Sequence, residues 1–180
     1  GLVMNGAEGE TKAKLESFFC PFYSTEKNNL YMKHFLLSLG GQVRNVSSIW
    51  YKNDERLAVN KDFLQKNADY FGADAFKVAF DDNGKAAIND WVKNKTNGSI
   101  DSILDEIDKD SMMFLINALT FESEWQNQYS EMSVSSATFK GYDQNYSVEM
   151  MKSTEDMFIE YGGATGFIKP YKDANYLFVA

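Results

Sequence analysis

The stretch Leu115 to Trp125 reads LINALTFESEW and follows directly on Met112, Met113 and Phe114. One polar amide, Asn117, interrupts an otherwise apolar run that ends at Thr120 and Phe121. An amide in an apolar strand costs roughly 1 to 3 kcal/mol if it finds no hydrogen-bond partner, so Asn117 is either satisfied in place or used. The acidic turn before the run and Glu122 after it suit a long buried strand over Met112 to Phe121 better than a helix.

Upstream, Ala87, Ile88, Trp91 and Val92 form one stripe of a helix that the Asp81-Asp82-Asn83-Gly84 turn launches and Asn97-Gly98 closes. Further back, Val43 to Tyr51 reads as a strand with Val46, Ser48 and Trp50 on one face and Val43, Ile49 and Tyr51 on the other, so both sides of its sheet should be covered. Helices are expected over Thr11 to Phe19, with Ala13, Leu15, Phe18 and Phe19 as its apolar side, and over Glu26 to Leu39, with Leu30, Tyr31, Phe35 and Leu36. Another should start at an Asn60 cap and stop at Gly72, followed by a short strand over Ala75 to Phe80. After Tyr129 the pattern is all-β: Val134 to Phe139, Tyr146 to Met151, Met157 to Tyr161, Gly166 to Tyr171 and Tyr176 to Ala180. No repeat, low-complexity tract or linker interrupts the chain, and the class is α+β.

With 180 residues, 44% of them apolar and 15% aromatic, the chain can bury a real core in one domain. A net charge of -8 repels phosphate backbones and anionic lipid, which disfavours nucleic-acid and membrane-surface binding. Lys27, Lys33 and His34 are too sparse to form an anion site. The single Cys20 has no internal disulfide partner and reads as a small buried hydrophobe. No apolar run approaches the ~18 residues of a spanning helix, and GLVMNGAEGE lacks the pattern of a signal peptide. Asn-x-Ser/Thr triplets at Asn45, Asn94, Asn97 and Asn145 carry little weight in so Asn- and Ser-rich a chain, and extracellular and cytoplasmic locations both stay open.

Catalytic chemistry finds no constellation. His34, the one histidine, lies on a helical face beside Phe35 and Leu36 with no nucleophile elbow elsewhere. Cys20 and His34 lack zinc-ligand spacing, and Asp101, Asp105, Glu106, Asp108 and Asp110 lack the frame of a calcium loop. Neither an enzyme nor a cofactor is indicated, so function should reside in the architecture or in a surface.

Two motifs give that architecture a family. Asn117, Ala118, Phe121 and Trp125 in NALTFESEW resemble the serpin signature N-A-x-x-F-x-G-x-W, and WVKNKTNGSI, with Trp91, Val92, Thr96, Gly98 and Ile100, resembles the serpin helix that crosses the main sheet. NGAEGET, VSSIWYKN, FLQKNADYFGA, VEMM and KPYK follow in the same order, so the resemblance covers essentially the whole chain. It implies a partial serpin fold: helices packed on a large mixed β-sheet plus a second, smaller sheet. By the same resemblance residues 1–180 form a partial serpin domain that lacks the first helix and the C-terminal half bearing the reactive-centre loop.

The resemblance further implies suicide inhibition of a serine or cysteine protease, in which cleavage lets the loop insert into the main sheet and trap the acyl-enzyme. A non-inhibitory binding, carrier or chaperone role is the alternative. The partners implied are the target protease and the chain's own C-terminal half. Asn117 falls at the family's "shutter", where hydrogen bonds hold the central strands. Trp125, beyond Phe121, falls at the "breach" at the top of the same strand, where insertion begins. Ile88, Trp91, Val92, Thr96 and Gly98 fall on the crossing helix, which must shift. Four departures stand out: Ser123 in place of glycine, Glu122 in place of lysine, Glu149 in place of proline, and a short, nearly uncharged segment between Cys20 and Val43. The last argues against a glycosaminoglycan cofactor.

Overall fold

The structure, a computed structural model, describes residues 1–172 and 174–180. The chain forms two units, Gly1–Phe121 and Glu122–Ala180. The first runs α1 (Gly9–Phe19), α2 (Thr25–Ser38), β1 (Val43–Lys52), α3 (Lys61–Phe71), β2 (Asp74–Val78), α4 (Asp82–Lys95) and β3 (Met113–Phe121). Its sheet has the order β2-β1-β3, with β1 parallel to β2 and antiparallel to β3.

The alternation along β1 divides the core in two. Val46 and Trp50 meet Phe76 and Val78 of β2 and Ile116 and Ala118 of β3 beneath Ile88 and Val92 of α4. On the other face Ile49 and Tyr51 meet Met113, Leu115 and α3 residues Phe63 and Leu64. Both faces of the sheet are therefore covered, as the two-sided pattern of β1 requires.

Helix boundaries follow local chemistry. The Asn60 side chain accepts from the Asp62 N–H at the start of α3, and that of Asp81 accepts from the Gly84 N–H at the start of α4. Gly84 itself lies against the Ala79 carbonyl, where a Cβ would come within 1.9 Å of the oxygen. This tight entry explains why β2 stops at Val78 rather than Phe80: the next residues must turn to reach the Asp81 cap.

Two expected apolar faces are not buried. Phe18 and Phe19 are exposed and α1 contains no buried residue, although Cys20 beside them is buried. On α2 the buried positions are Thr25 and Asn29, while Leu30, Tyr31 and Phe35 are exposed. Here polar partners, not apolar periodicity, choose the inward face: the Asn29 amide donates to Asn5 Oδ1 at 2.7 Å, and the Asn5 amide to Asn67 Oδ1 on α3 at 2.9 Å. The Asn67 amide donates in turn to the Phe63 carbonyl at 3.0 Å.

Among its described residues the second unit is all-β apart from a 3₁₀ turn at Glu131–Ser133. β4 (Val134–Lys140) and β5 (Asn145–Met151) form an antiparallel pair. β6 (Met157–Tyr161), β7 (Ala164–Pro170) and β8 (Leu177–Val179) form a meander in which β7 is central. The strand expected over Gly166 to Tyr171 starts two residues earlier, because Gly162 and Gly163, both at positive φ, close a tight hairpin between β6 and β7.

Candidate functional site

Asn117 stands opposite Ser47 in the β1/β3 register, on the face shared by Asn45 and Leu119. Its amide nitrogen lies 3.0 Å from Asn45 Oδ1, 3.0 Å from Ser47 Oγ and 3.3 Å from the Val46 carbonyl. Every one of these acceptors is on β1, so the amide of one strand grips the other. The expectation of a buried strand holds for one face only: Ile116 and Ala118 are buried, whereas Asn117 is exposed and Leu119 is 62% exposed. The α3 residues that cover this face pack on Met113 and Leu115, nearer the start of β3, which leaves its second half open. Phe121 closes the strand opposite Val43.

On the opposite face α4 is anchored by Ile88 and Val92, both fully buried. Half-buried Trp91 packs edge-on against Trp50, at 6.4 Å, and donates from Nε1 to Asp74 of β2 at 3.1 Å. Asp74 also pairs with Lys95 at 3.0 Å. Partial burial alone would raise the Asp74 carboxyl, but the hydrogen bonds from Lys95 and Trp91 outweigh it and hold the group below its ordinary value.

The T-x-G-x-I part of the motif is a helix stop. Thr96 Oγ1 donates to the Val92 carbonyl at 2.8 Å and accepts from the Ile100 N–H at 3.2 Å. Gly98 takes the left-handed conformation, φ 79°, and its N–H returns 2.8 Å to the Lys93 carbonyl, closing the helix end. Ile100 then drops into the core beside α4.

Asn89, which the stripe-based reading passes over, fastens the returning segment. Its Oδ1 accepts from the Ile103 and Leu104 N–H groups, each at 3.0 Å, and its amide donates to the Leu104 carbonyl at 2.8 Å. The signal that could have found it is its place one residue after the buried Ile88, where a polar side chain faces the chain leaving the helix.

Trp125 follows β3 in the chain. That strand ends at Phe121, and Trp125 belongs to the second unit, where it forms an isolated antiparallel bridge with Tyr171. The two rings stack at 4.5 Å, and Phe178 of β8 meets the indole edge-on at 5.8 Å. Lys169 of β7 lies beneath, 4% exposed, and is ion-paired with Glu155. Hydrogen bonding to Glu155 holds the Lys169 ammonium above the ordinary lysine value, and the same contact holds the Glu155 carboxyl below its own.

Ser153 lies 3.3 Å from Lys169 Nζ and 3.1 Å from the Tyr129 hydroxyl, a grouping with the residue types of a serine–lysine hydrolase. The chemistry is wrong for it. A lysine held protonated cannot take the serine proton, and Ser153 already donates to Glu155 at 2.5 Å. Among the described residues no group of three His, Cys, Asp or Glu could hold a metal ion.

The comparisons agree with this architecture. The family description Serpin (serine protease inhibitor) matches residues 1–179, and the chain belongs to the serpin family. A thermophilic serpin, tengpin, in its latent state is 42% identical over 99% of this chain and 50% of its own, with a TM-score of 0.90. Tengpin in its native state gives 40% identity, 99% and 47% coverage and the same TM-score. Alpha-2-antiplasmin of Mus musculus is 30% identical over 124 residues, 67% of this chain and 25% of that protein. The chain thus spans about half the length of the solved serpins and about a quarter of that curated relative.

Proposed function

We propose that the protein is an inhibitory serpin, which traps a serine or cysteine protease when cleavage of a reactive loop lets that loop enter the main sheet. The observation that carries this reading is the tie between β3 and β1, made by the Asn117 amide to Asn45 and Ser47. Side-chain bonds of this kind hold two strands of a sheet together and must be kept or remade when the sheet is rearranged. Asn117 is the shutter in this reading, Phe121 ends the strand it pins, Trp125 belongs to the breach, and α4 with Ile88, Trp91, Val92, Thr96 and Gly98 is the helix that yields. The family's description as serine protease inhibitors and the name of the antiplasmin relative support a protease as the partner.

The reading implies that residues 1–180 are part of a domain whose remainder supplies the loop and the closing strands. It has a direct test. The full-length protein is mixed with a panel of trypsin-like and papain-like proteases and run on a denaturing gel. A complex that survives denaturation supports trapping. Cleavage of the protein by every protease tried, with no complex, would mark a non-inhibitory serpin.

A further inference from the structure

Asparagine followed by glycine is open to attack of the backbone on its own side chain, because glycine has no Cβ to keep its amide nitrogen from the neighbouring carboxamide. The chain holds three such pairs, Asn5–Gly6, Asn83–Gly84 and Asn97–Gly98, and the fold treats them differently.

The first two are held shut. The Asn5 carboxamide is bonded at both ends, donating to Asn67 Oδ1 at 2.9 Å and accepting from the Asn29 amide at 2.7 Å, so its Cγ cannot turn toward Gly6 without breaking both bonds. Asn83 lies in the first turn of α4, where buried Gly84 donates its N–H to Asp81 Oδ1 at 2.9 Å. With the Ala79 carbonyl pressed against Gly84, that nitrogen has no room to approach a side chain.

Asn97 differs. It is exposed and lies beyond Lys95, the last residue of α4, in the left-handed conformation with φ 53°. Among the described residues its carboxamide has no hydrogen-bond partner. What guards it is the backbone bond from the Gly98 N–H to the Lys93 carbonyl, 2.8 Å long, at an exposed helix end where opening costs least.

We propose that Asn97 is a site of spontaneous deamidation whose product unfastens the C-terminal end of α4. When the Gly98 bond opens, the Gly98 nitrogen attacks Asn97 Cγ and gives its proton to solvent. The Cγ–Nδ2 bond breaks, ammonia leaves and a succinimide remains. Water then opens the ring at either carbonyl, to aspartate or isoaspartate, with no change of oxidation state. Isoaspartate carries the main chain through the former side chain and lengthens it by a methylene, so the Gly98 N–H no longer meets the Lys93 carbonyl in register. The new carboxylate also faces the negative end of the helix dipole, an effect that Lys93 and Lys95 in the last turn offset in part. The reaction needs no protease and stands apart from the inhibitory reading.

The test follows the full-length protein in mildly alkaline buffer, folded and in urea, by peptide mapping that separates the asparaginyl, aspartyl and isoaspartyl forms of each pair. In the folded protein Asn97 should convert about tenfold or more faster than Asn5 or Asn83, because helix ends open far more readily than bonded first turns and interior amides. In urea the rates should draw together. Thr96→Val, which removes a hydroxyl bond from the final turn, should widen the lead of Asn97 over Asn83. The isoaspartyl protein should melt below Asn97→Asp, which carries the same charge on an unaltered backbone.

Equal rates at the three pairs in the folded protein, or an Asn97 that stays intact while its urea-unfolded counterpart reacts, would overturn the site. A lead left unchanged by Thr96→Val would overturn the gating by the final turn. Equal melting temperatures for the isoaspartyl protein and Asn97→Asp would overturn the unfastening of α4.

Discussion

Asn117 and Ser47 are direct cross-strand partners, with the Asn117 amide 3.0 Å from the Ser47 hydroxyl and Ser47 itself buried. Removing the amide leaves the Ser47 hydroxyl, the Asn45 carboxamide and the Val46 carbonyl without this donor. Asn117→Ala in the full-length protein should destabilise it by about 1 to 2 kcal/mol, since partly exposed acceptors recover some bonding from water. If Asn117 also pins the strands against insertion, the variant should polymerise on native gels at temperatures where the native protein stays monomeric. An unchanged melt and no ladder would contradict both.

Thr96 offers a cleaner separation of side chain from shape. Its hydroxyl donates to Val92 and accepts from the Ile100 N–H while 1% exposed, so valine in its place removes the acceptor of a half-buried N–H and leaves the Val92 carbonyl with the backbone bond from Thr96. Thr96→Val should lower stability by about 1 to 3 kcal/mol, with Thr96→Ser closer to the native protein. Urea denaturation of the three proteins measures this, and equal midpoints for Val and Thr would refute the capping role.

Acid should destabilise the protein more than alkali. Hydrogen bonds lower the carboxyls of Asp54 (from Arg56), Glu124 (from Lys172), Asp143 (from Tyr146) and Glu155 (from Lys169). A depressed carboxyl contributes stability above its unfolded pKa and loses it as pH falls through the folded one, so the loss should begin below about pH 4 to 5. Lys169 is shifted the other way, so its share is complete below the ordinary lysine value and disappears only as pH rises past its raised one. The melting temperature should be level from about pH 6 to 9 and fall on the acid side. The Glu124–Lys172 and Asp143–Tyr146 pairs are exposed, so their part of the acid fall should be modest and shallower in high salt, whereas the Glu155–Lys169 pair is shielded from both. A melt that declined between pH 9 and 6 would contradict the assignment.

The net charge of -8 sets a fourth expectation. Heparin and DNA should find no site on residues 1–180 at physiological salt, because Lys27, Lys33 and His34 give no dense basic face. Lys27 is occupied near the Tyr23 and Tyr31 rings and Lys33 near that of Tyr70. Loss of heparin retention by the full-length protein on Lys27→Ala/Lys33→Ala substitution would overturn this.

What the sequence disclosed followed from how local its cause was. The two faces of β1, the Ile88–Val92 stripe and the Gly98 stop are written in neighbouring residues, and the fold places them as their spacing requires. The Asn5–Asn29–Asn67 chain is different: its partners come from separate elements, and no periodicity marks an asparagine that will be buried by another asparagine far along the chain. The same holds for Lys169, whose neighbours Ile168 and Pro170 give no sign that Glu155 waits across the turn. Phe18 and Phe19 stay exposed within residues 1–180, since apolar residues report a wish for burial and not the surface that supplies it.

That unmet wish leads to the last expectation. Taken alone, residues 1–180 should neither fold to a soluble monomer nor inhibit a protease. Phe18, Phe19 and Phe22 on and after α1, Leu37 on α2 and Phe158 and Tyr161 on β6 are all exposed. β3 adds an edge that has β1 on one side and, among the described residues, no strand on the other. A long apolar edge templates pairing with another chain, and clustered exposed aromatics favour association. The ordering entropy of the backbone, about 1 to 2 kcal/mol per residue, then has too little burial to oppose it. Expressed as Gly1 to Ala180, the chain should run as aggregate on size exclusion and melt without cooperativity by circular dichroism. With trypsin-like and papain-like proteases it should be degraded without a denaturant-resistant complex. If the proposed remainder of the domain covers those aromatics and β3, supplying it as a second polypeptide should restore a monodisperse species. A soluble, cooperative monomer of residues 1–180 alone would show that the two units bury enough by themselves.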